Sequence, residues 1–223
     1  NIGTKEKLST NGLSTSVAYS VDGIRTFTIE GNINYAGAVI SWLKNDLELI
    51  EDANETQKII LESNPNDKTV LVPAFTGLGA PYWNMHAKAM FYGMTRTTTW
   101  KELVKASVES IAYQITDILN AMENATGISM KEVKADGGPS KNQYLMQFLA
   151  ECAQNTVCVS LQEELSATGV AYMAGLTVGI YQKDNLFHQL KYNVYQNHFD
   201  CSEWQSQMNR WYEAIKLIQG KGV

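Results

Sequence analysis

The sequence is poor in the residues that build disulfide frameworks and metal centres. Its 223 residues include only three cysteines and three histidines. Cys152, Cys158 and Cys201 are odd in number and show no Cys-x-x-Cys spacing, so neither a disulfide framework nor a zinc site is indicated. We therefore expect buried free thiols in a reducing, cytoplasmic compartment, and we nominate no metal ligands.

Basic clusters and long apolar runs are also missing. The 18 Lys and Arg residues are outnumbered by 23 Asp and Glu residues, which gives a formal net charge of -5. This balance argues against a nucleic-acid or anionic-membrane surface. No apolar run reaches the roughly 18 residues that a membrane span requires. Because the sequence opens at Asn1 without a Met or a signal-like region, we expect a soluble piece of a longer chain, with a homo-oligomer left open.

What is present is an alternation of short strands and helices. "LSTSVAYSVDGIRTFTIEG" alternates apolar and polar residues on either side of its Asp-Gly pair, which predicts a β-hairpin. "YAGAVISWLKNDLELI" predicts a helix, and strands are expected in "TVLVPAF", "AMFYGM", "EVKADGG" and "TVCVSL". The apolar face of that helix would hold Ile40, Leu43, Leu47 and Ile50. Longer helices are predicted over about 99–125 and 201–218, so the pattern as a whole predicts an α/β domain.

The stretch "ADGGPSKNQYLMQFL" suggests a ligand site by its local chemistry. Val133–Ala135 would enter as a strand, Gly137 and Gly138 would form a turn, and Pro139 would occupy the first position of a helix. The first N–H groups of that helix, at 140–142, would then point back towards the glycines and favour an anion. Strand, glycine turn and helix also occur together for packing reasons alone, so the segment by itself leaves both readings open.

Two familiar nucleotide motifs are not met. "GLGAPY" has Tyr82 where a dinucleotide-binding fingerprint needs its third glycine. The sequence contains no Gly-x-x-x-x-Gly-Lys-Ser/Thr. Any nucleotide site must therefore belong to another kind of fold.

A longer signature points to a known family. In "AMFYGMTRTTTWKELVKASVE", residues 89–109, a small residue and a hydrophobic one precede Gly-Met, a seven-residue spacer follows, and then come Glu-Leu, Ala-Ser-Val and Glu. This pattern resembles the second signature of the FGGY carbohydrate kinases. "NGLSTSVAY", "VPAFTGLGAPYW", "ESIAYQ", "DGGPSKNQYLMQF" and "GVAYMAGL" are similar, in order and spacing, to the C-terminal half of the glycerol-phosphorylating members.

The resemblance implies a fold and a partner. It implies an actin-like, ribonuclease H-like α/β domain, with a mixed sheet and helices on both faces. Residues 1–223 would be the C-terminal nucleotide-binding domain, one of two that close on ATP, Mg²⁺ and a small polyol or sugar. The N-terminal domain of the same protein would be the missing partner.

The resemblance also implies nucleotide-binding positions. The glycine of the "AGA" helix start corresponds to Gly37, the glycine of the adenosine loop to Gly138, and the helical asparagine near the adenine to Asn142. Two positions depart from the family. Pro139 stands where a small residue usually offers its amide, and Ser41 stands where glutamine is common in the glycerol-phosphorylating members.

No catalytic residue is expected within this chain. Members of the family take the proton of the substrate hydroxyl with an aspartate of the N-terminal domain, which corresponds to a position upstream of Asn1. Asp136 and Glu109 could be imagined as acids or metal ligands, but turn fixing by Asp136 and capping or pairing within the domain by Glu109 are the favoured interpretations. Trp83 stays open as a residue at a cleft edge.

The function that the resemblance implies is transfer of the ATP γ-phosphoryl group to a hydroxyl of glycerol or a similar small substrate. This fragment would be inactive alone. Within the same reaction class, xylulose or another pentulose is an alternative substrate. A different class of function also remains, an actin-like ATP-binding module that phosphorylates no sugar.

Overall fold

The computed structural model describes residues 1–8, 12–162, 164–182, 186 and 190–220. In chain order the elements are β1 Ser14–Val21, β2 Ile24–Glu30, α1 Gly37–Asn45, α2 Glu55–Leu61, β3 Val70–Val72, β4 Met90–Tyr92, α3 Trp100–Thr126, β5 Glu132–Ala135, a 3₁₀ turn Gly138–Lys141, α4 Gln143–Ala153, β6 Thr156–Ser160, α5 Leu165–Thr177, β7 Tyr192–Tyr195 and α6 Cys201–Ile218.

The strands of the described residues form three small sheets. β1 and β2 form the predicted hairpin, in which Val17 lies opposite Phe27 and Tyr19 opposite Thr26 because the register shifts between Val17 and Tyr19. β3 pairs antiparallel with β4. In the third sheet β6 pairs parallel with β5 and antiparallel with β7, so this sheet is mixed. The predicted α/β class and mixed sheet are therefore present, with the strands divided among three sheets.

The long helix α3 is the centre of the domain. A capping box starts it, since the Thr99 side chain accepts a bond from the Lys101 amide and Glu102 accepts the Thr99 amide at 2.6 Å. Gly127, in the left-handed conformation at φ 71°, ends it. One face of α3 is fully buried, and its Tyr113 ring stacks on Trp211 of α6 at 5.2 Å. The core therefore joins α3 to α4, α6 and the short β3.

The first helix is shorter than its apolar pattern predicts. α1 ends at Asn45, and the amides of Asp46 and Leu47 both bond to the Trp42 carbonyl. Glu48 then takes a positive φ of 52°, which a helix cannot continue through. The prediction that Leu47 and Ile50 lie on one helical face was thus wrong. Ile50 is still buried beside Leu43, because the turn after the helix carries it back into the core.

Helix α5 is apolar but largely exposed. Val170 and Met173 are 71% and 50% exposed, and Val178 and Ile180 just beyond the helix are 69% and 73% exposed. A helix that is apolar around its circumference is normally covered by other protein. Within the described residues, no helix combines the length and the apolarity that crossing a bilayer demands.

The three cysteines are free thiols. Cys152 and Cys158 are buried as expected, and burial raises the pKa of both thiols. Cys201 is exposed, so the expectation that all three are buried was wrong for this residue. Its position explains the difference, since it is the first residue of α6, whose buried face begins only further along the helix.

Candidate functional site

The turn before α4 differs from the prediction. The chain enters it through Gly137 at φ 92° and forms a 3₁₀ turn, and α4 begins only at Gln143. The amides of Ser140 and Asn142 donate to the carbonyls of Gly137 and Pro139, at 3.1 Å each. The expectation of free N–H groups at these two positions was therefore wrong. A proline that starts a 3₁₀ turn and one that starts an α-helix have the same sequence pattern, which is why the pattern did not separate them.

Asn142 is the residue that starts α4. Its Oδ1 atom accepts a hydrogen bond from the Leu145 amide at 3.0 Å, which caps the helix. Its Nδ2 atom donates to the hydroxyl of Thr56 in α2, also at 3.0 Å. The side chain thus joins two segments that lie 86 residues apart in the sequence.

A cleft of about 680 Å³ lies between α1, α2, α3 and the start of α4. All five residues that the sequence nominated for nucleotide binding line it. They are Gly37, Ser41, Gly138, Pro139 and Asn142. Two separate segments, one at the start of α1 and one before α4, therefore supply a single cavity of the size that small-molecule sites commonly have.

The two glycines leave room that the protein itself does not use. A Cβ atom built on Gly138 would meet nothing within 4 Å, and one built on Gly37 would meet only the Pro139 ring, at 4.0 Å. Neither glycine has the positive φ that would demand glycine for conformational reasons. Packing and backbone conformation thus give no reason for glycine at either position, while close approach of a ligand to the backbone would.

Positive charge surrounds the cleft. Lys44, Lys58 and Lys141 line it and are exposed, and no carboxylate is found among its described lining residues. The charge along the cleft lining is thus positive, whereas the formal net charge of the chain is -5. Since lysines attract anions, the cleft is suited to a phosphorylated ligand.

The inner wall of the cleft is apolar. It includes side chains from α1, α3 and α4, namely Ile40, Val108, Ile111 and Leu145, whereas Leu61 of α2 also lines the cleft but is 73% exposed. Such a wall can cover a flat ring, while the lysines and the exposed backbone at 137–138 lie nearer solvent. The Ser41 hydroxyl is partly engaged already, because it donates to the Gly37 carbonyl at 3.4 Å.

Most of the remaining nominated side chains lie elsewhere. Glu109 is buried, accepts a hydrogen bond from the Tyr144 hydroxyl at 2.5 Å and lies 3.9 Å from the ammonium group of Lys105. This confirms the interpretation that it pairs within the domain. Burial raises the pKa of Glu109. Asp136 and Trp83 are not among the described lining residues, and the Trp83 indole donates to the Gly12 carbonyl at 2.6 Å.

Helix α2 was not predicted from the sequence. It contributes Thr56, Gln57, Lys58 and Leu61 to the cleft. A signal was available, because Thr56, Ile59 and Ile60 are buried at the spacing of one helical face. The helix has only seven residues, so this pattern barely repeats.

The described lining of the cleft offers no carboxylate ligand for magnesium. Among the described residues, no group of three or more His, Cys, Asp or Glu side chains could hold a metal ion. The cleft in particular offers amides, hydroxyls and lysines, which are not the carboxylate oxygens that Mg²⁺ prefers.

Comparison with known proteins identifies the family to which the chain belongs. Residues 1–178 match the model of the FGGY family of carbohydrate kinases, C-terminal domain. The chain belongs to this family. Glycerol kinases of Ligilactobacillus salivarius and Brevibacillus brevis are 40% and 44% identical to it over 85% and 80% of the chain. The glycerol kinase of Streptococcus pneumoniae is 37% identical over 98% of the chain. The chain spans only 36% to 44% of the length of these relatives.

Solved structures of the family share the fold of this FGGY domain. A crystal structure of Plasmodium falciparum glycerol kinase with ADP superimposes with a TM-score of 0.89 at 32% identity, over 98% of this chain and 44% of that one. A xylulose kinase from Lactobacillus acidophilus gives a TM-score of 0.80 at 18% identity, over 99% of this chain and 45% of that one. The actin-like fold expected from the resemblance is confirmed by these likenesses.

Proposed function

We propose that this chain is the nucleotide-binding half of an ATP-dependent kinase that phosphorylates a hydroxyl of glycerol or a similar small polyol. The observation that carries the proposal is the convergence of Gly37, Ser41, Gly138, Pro139 and Asn142 on one cleft with three lysines and no described carboxylate. The glycerol kinase relatives, at 37% to 44% identity, support the reaction class and the substrate.

The cleft fits a nucleotide in three respects. Its apolar wall can cover the base, its lysines can neutralise phosphate charge, and the open space over Gly138 lets a ligand lie on the backbone. The presence of ADP in the Plasmodium falciparum relative supports the same ligand class here. Mg²⁺ would arrive with the phosphates of ATP, and its protein ligands would come from outside this chain.

The chemical step needs groups that the described residues of the cleft do not offer. Phosphoryl transfer depends on positioning and charge neutralisation, together with a base near the attacking hydroxyl. The cleft of this chain contains no described carboxylate, so we propose that an N-terminal domain of the same protein provides the base and most of the substrate site. Closure of the two domains would exclude water from the transferred phosphoryl group.

The exposed apolar helix α5 supports the proposal of a missing partner domain. Val170, Met173, Val178 and Ile180, on this helix and just beyond it, are each at least half exposed. Exposed apolar surfaces are uncommon on monomeric soluble proteins, and they usually form contacts with another protein or domain. A cytoplasmic location forms part of the proposal, because ATP and free thiols both fit a reducing compartment. Assembly into a homo-oligomer stays a prediction.

Nucleotide affinity tests the site directly. We expect ADP, measured by isothermal titration calorimetry, to bind Gly138→Val at least roughly tenfold more weakly than wild type, because the valine side chain fills the space kept for the ligand. Gly169→Val is the matched control, since Gly169 lies in α5, outside the cleft, and its Cβ would also meet nothing within 4 Å. Equal affinity of wild type and Gly138→Val would contradict the proposed site.

The substrate is tested on the longer protein that contains this domain. A panel of glycerol, xylulose and gluconate, with coupled detection of ADP, measures which hydroxyl compound raises ATP turnover. We expect the highest kcat/KM with glycerol. Turnover with none of the three, in a protein that binds ADP, would instead favour the ATP-binding module without sugar phosphorylation.

A further inference from the structure

Helix α2 is attached to the start of α4 at two successive positions. The Thr56 hydroxyl accepts from Asn142 Nδ2 at 3.0 Å, and Gln57 Oε1 accepts from the Gln143 amide at 3.1 Å. Both bonds cross between segments 86 residues apart, and Thr56, Gln57 and Asn142 line the cleft. A displacement of α2 would therefore also displace the end of α4 that borders the cleft.

The hydroxyl of Thr56 has a fixed direction. It donates its hydrogen to the Ala53 carbonyl at 2.7 Å, so only its lone pairs remain to accept from Asn142. Thr56 is 1% exposed, which means that water cannot replace either bond. The hydroxyl thus presents an acceptor, and never a donor, to the Asn142 carboxamide.

That acceptor and the Leu145 amide, which can only donate, together determine which way the carboxamide points. An amide side chain can be turned over at little cost when its surroundings do not distinguish O from N. Here Nδ2 must face Thr56, and Oδ1 must therefore face the Leu145 amide that it caps. One N–H of Nδ2 and one lone pair of Oδ1 remain for a ligand in the cleft.

We propose that Thr56 is a positioning residue of the nucleotide cleft, which holds the Asn142 carboxamide in the orientation that a bound nucleotide uses. The inference rests on the proposed function, because it assumes that the cleft takes a nucleotide. It assigns a role to α2, which carries none of the motifs by which the family is identified. Thr56 itself acts only through Asn142.

The test replaces the hydroxyl of Thr56 and keeps its shape. In Thr56→Val we expect the dissociation constant of ADP to rise roughly tenfold, because the carboxamide keeps only one of the two hydrogen bonds that hold its direction and a part-buried N–H loses its acceptor. Thr56→Ser retains the hydroxyl and should return the constant to within about twofold of wild type. Thr116→Val is the matched control, since its hydroxyl is also in a residue 1% exposed but has no partner in the described part of the chain.

A double-mutant cycle shows whether the effect passes through Asn142. Asn142→Ser keeps an oxygen that can cap α4 but removes Nδ2, so Thr56→Val should cause no further loss of ADP affinity in that background. Unchanged ADP affinity in Thr56→Val would overturn the inference. So would an equal loss of ADP affinity from Thr56→Val in the wild-type and Asn142→Ser backgrounds. Neither result would contradict the nucleotide site itself. If wild type and all variants fail to bind ADP, the proposed function itself is wrong. Thr56→Ala enters the same cycle if the valine variant does not fold.

Discussion

The carboxyl group of Asp117 gives this domain a pH dependence that can be measured. Asp117 lies on α3, is buried, and accepts hydrogen bonds from the Tyr82 hydroxyl at 2.7 Å and the Trp211 indole at 2.6 Å. Burial raises its pKa from 3.8 to about 7, although hydrogen bonds from Tyr82, Trp211 and Tyr212 offset part of the rise. The carboxyl group therefore joins α3, the loop before β4 and α6 in a largely protonated form at mildly acidic pH.

The sign and size of the effect follow from this shift. Between about pH 4 and pH 7 the folded domain keeps a proton on Asp117 that the unfolded chain has released, so the free energy of unfolding falls as the pH rises through this window. A shift of about three units corresponds to about 4 kcal/mol. The phenols beside it do not titrate here, because the pKa of Tyr82 is raised and that of Tyr212 is raised to about 12.

Asp117→Asn isolates this contribution, since the amide has nearly the same shape and cannot ionise. Urea denaturation followed by tryptophan fluorescence, from about pH 4 to pH 8, gives the free energy of unfolding of both proteins. We expect the difference, Asp117→Asn minus wild type, to increase by about 4 kcal/mol across this range. Asp46→Asn, at an exposed carboxyl group, controls for the removed charge. If the free energies of unfolding of wild type and Asp117→Asn changed equally with pH, the reasoning would be refuted.

Two substitutions test single hydrogen-bonding groups of the central helix by urea denaturation. Thr99→Ala removes half of the capping box at the start of α3 and should lower the free energy of unfolding by about 1 kcal/mol; no change would show that Glu102 caps the helix alone. Thr116→Val replaces a buried hydroxyl with no partner among the described residues and should raise that free energy by about 1 kcal/mol, whereas a loss would reveal a partner such as a buried water.

The sequence predicted the elements whose ends carry their own chemical signals. Helix α6 was predicted over 201–218 and is found at Cys201–Ile218, and α3 differs from its prediction by one residue at each end. In both helices a capping box marks the first turn, with Asp200 and Glu203 supplying it in α6. A long apolar repeat then fixes which face is buried, so local information is sufficient.

The elements that the sequence did not predict depend on contacts with distant residues. β7 has only four residues and exists because β6 offers an edge to pair with. α2 has seven residues and no side-chain cap, and its stability comes from packing on α3 and from the bonds of Thr56 and Gln57 to the start of α4. Segments this short cannot be identified from their own pattern.

Gly138 and Asn142 were both nominated by their positions in a family motif, but the structure gives them different surroundings. Open space lies where the Cβ of Gly138 would be. Half of the hydrogen-bonding capacity of the Asn142 carboxamide is taken by Leu145 and Thr56, so under our proposal its contact with a ligand depends on how α2 holds it. The motif nominated residues that the structure brings to one cleft, but it could not reveal that a helix outside the motif, α2, is hydrogen-bonded to one of them.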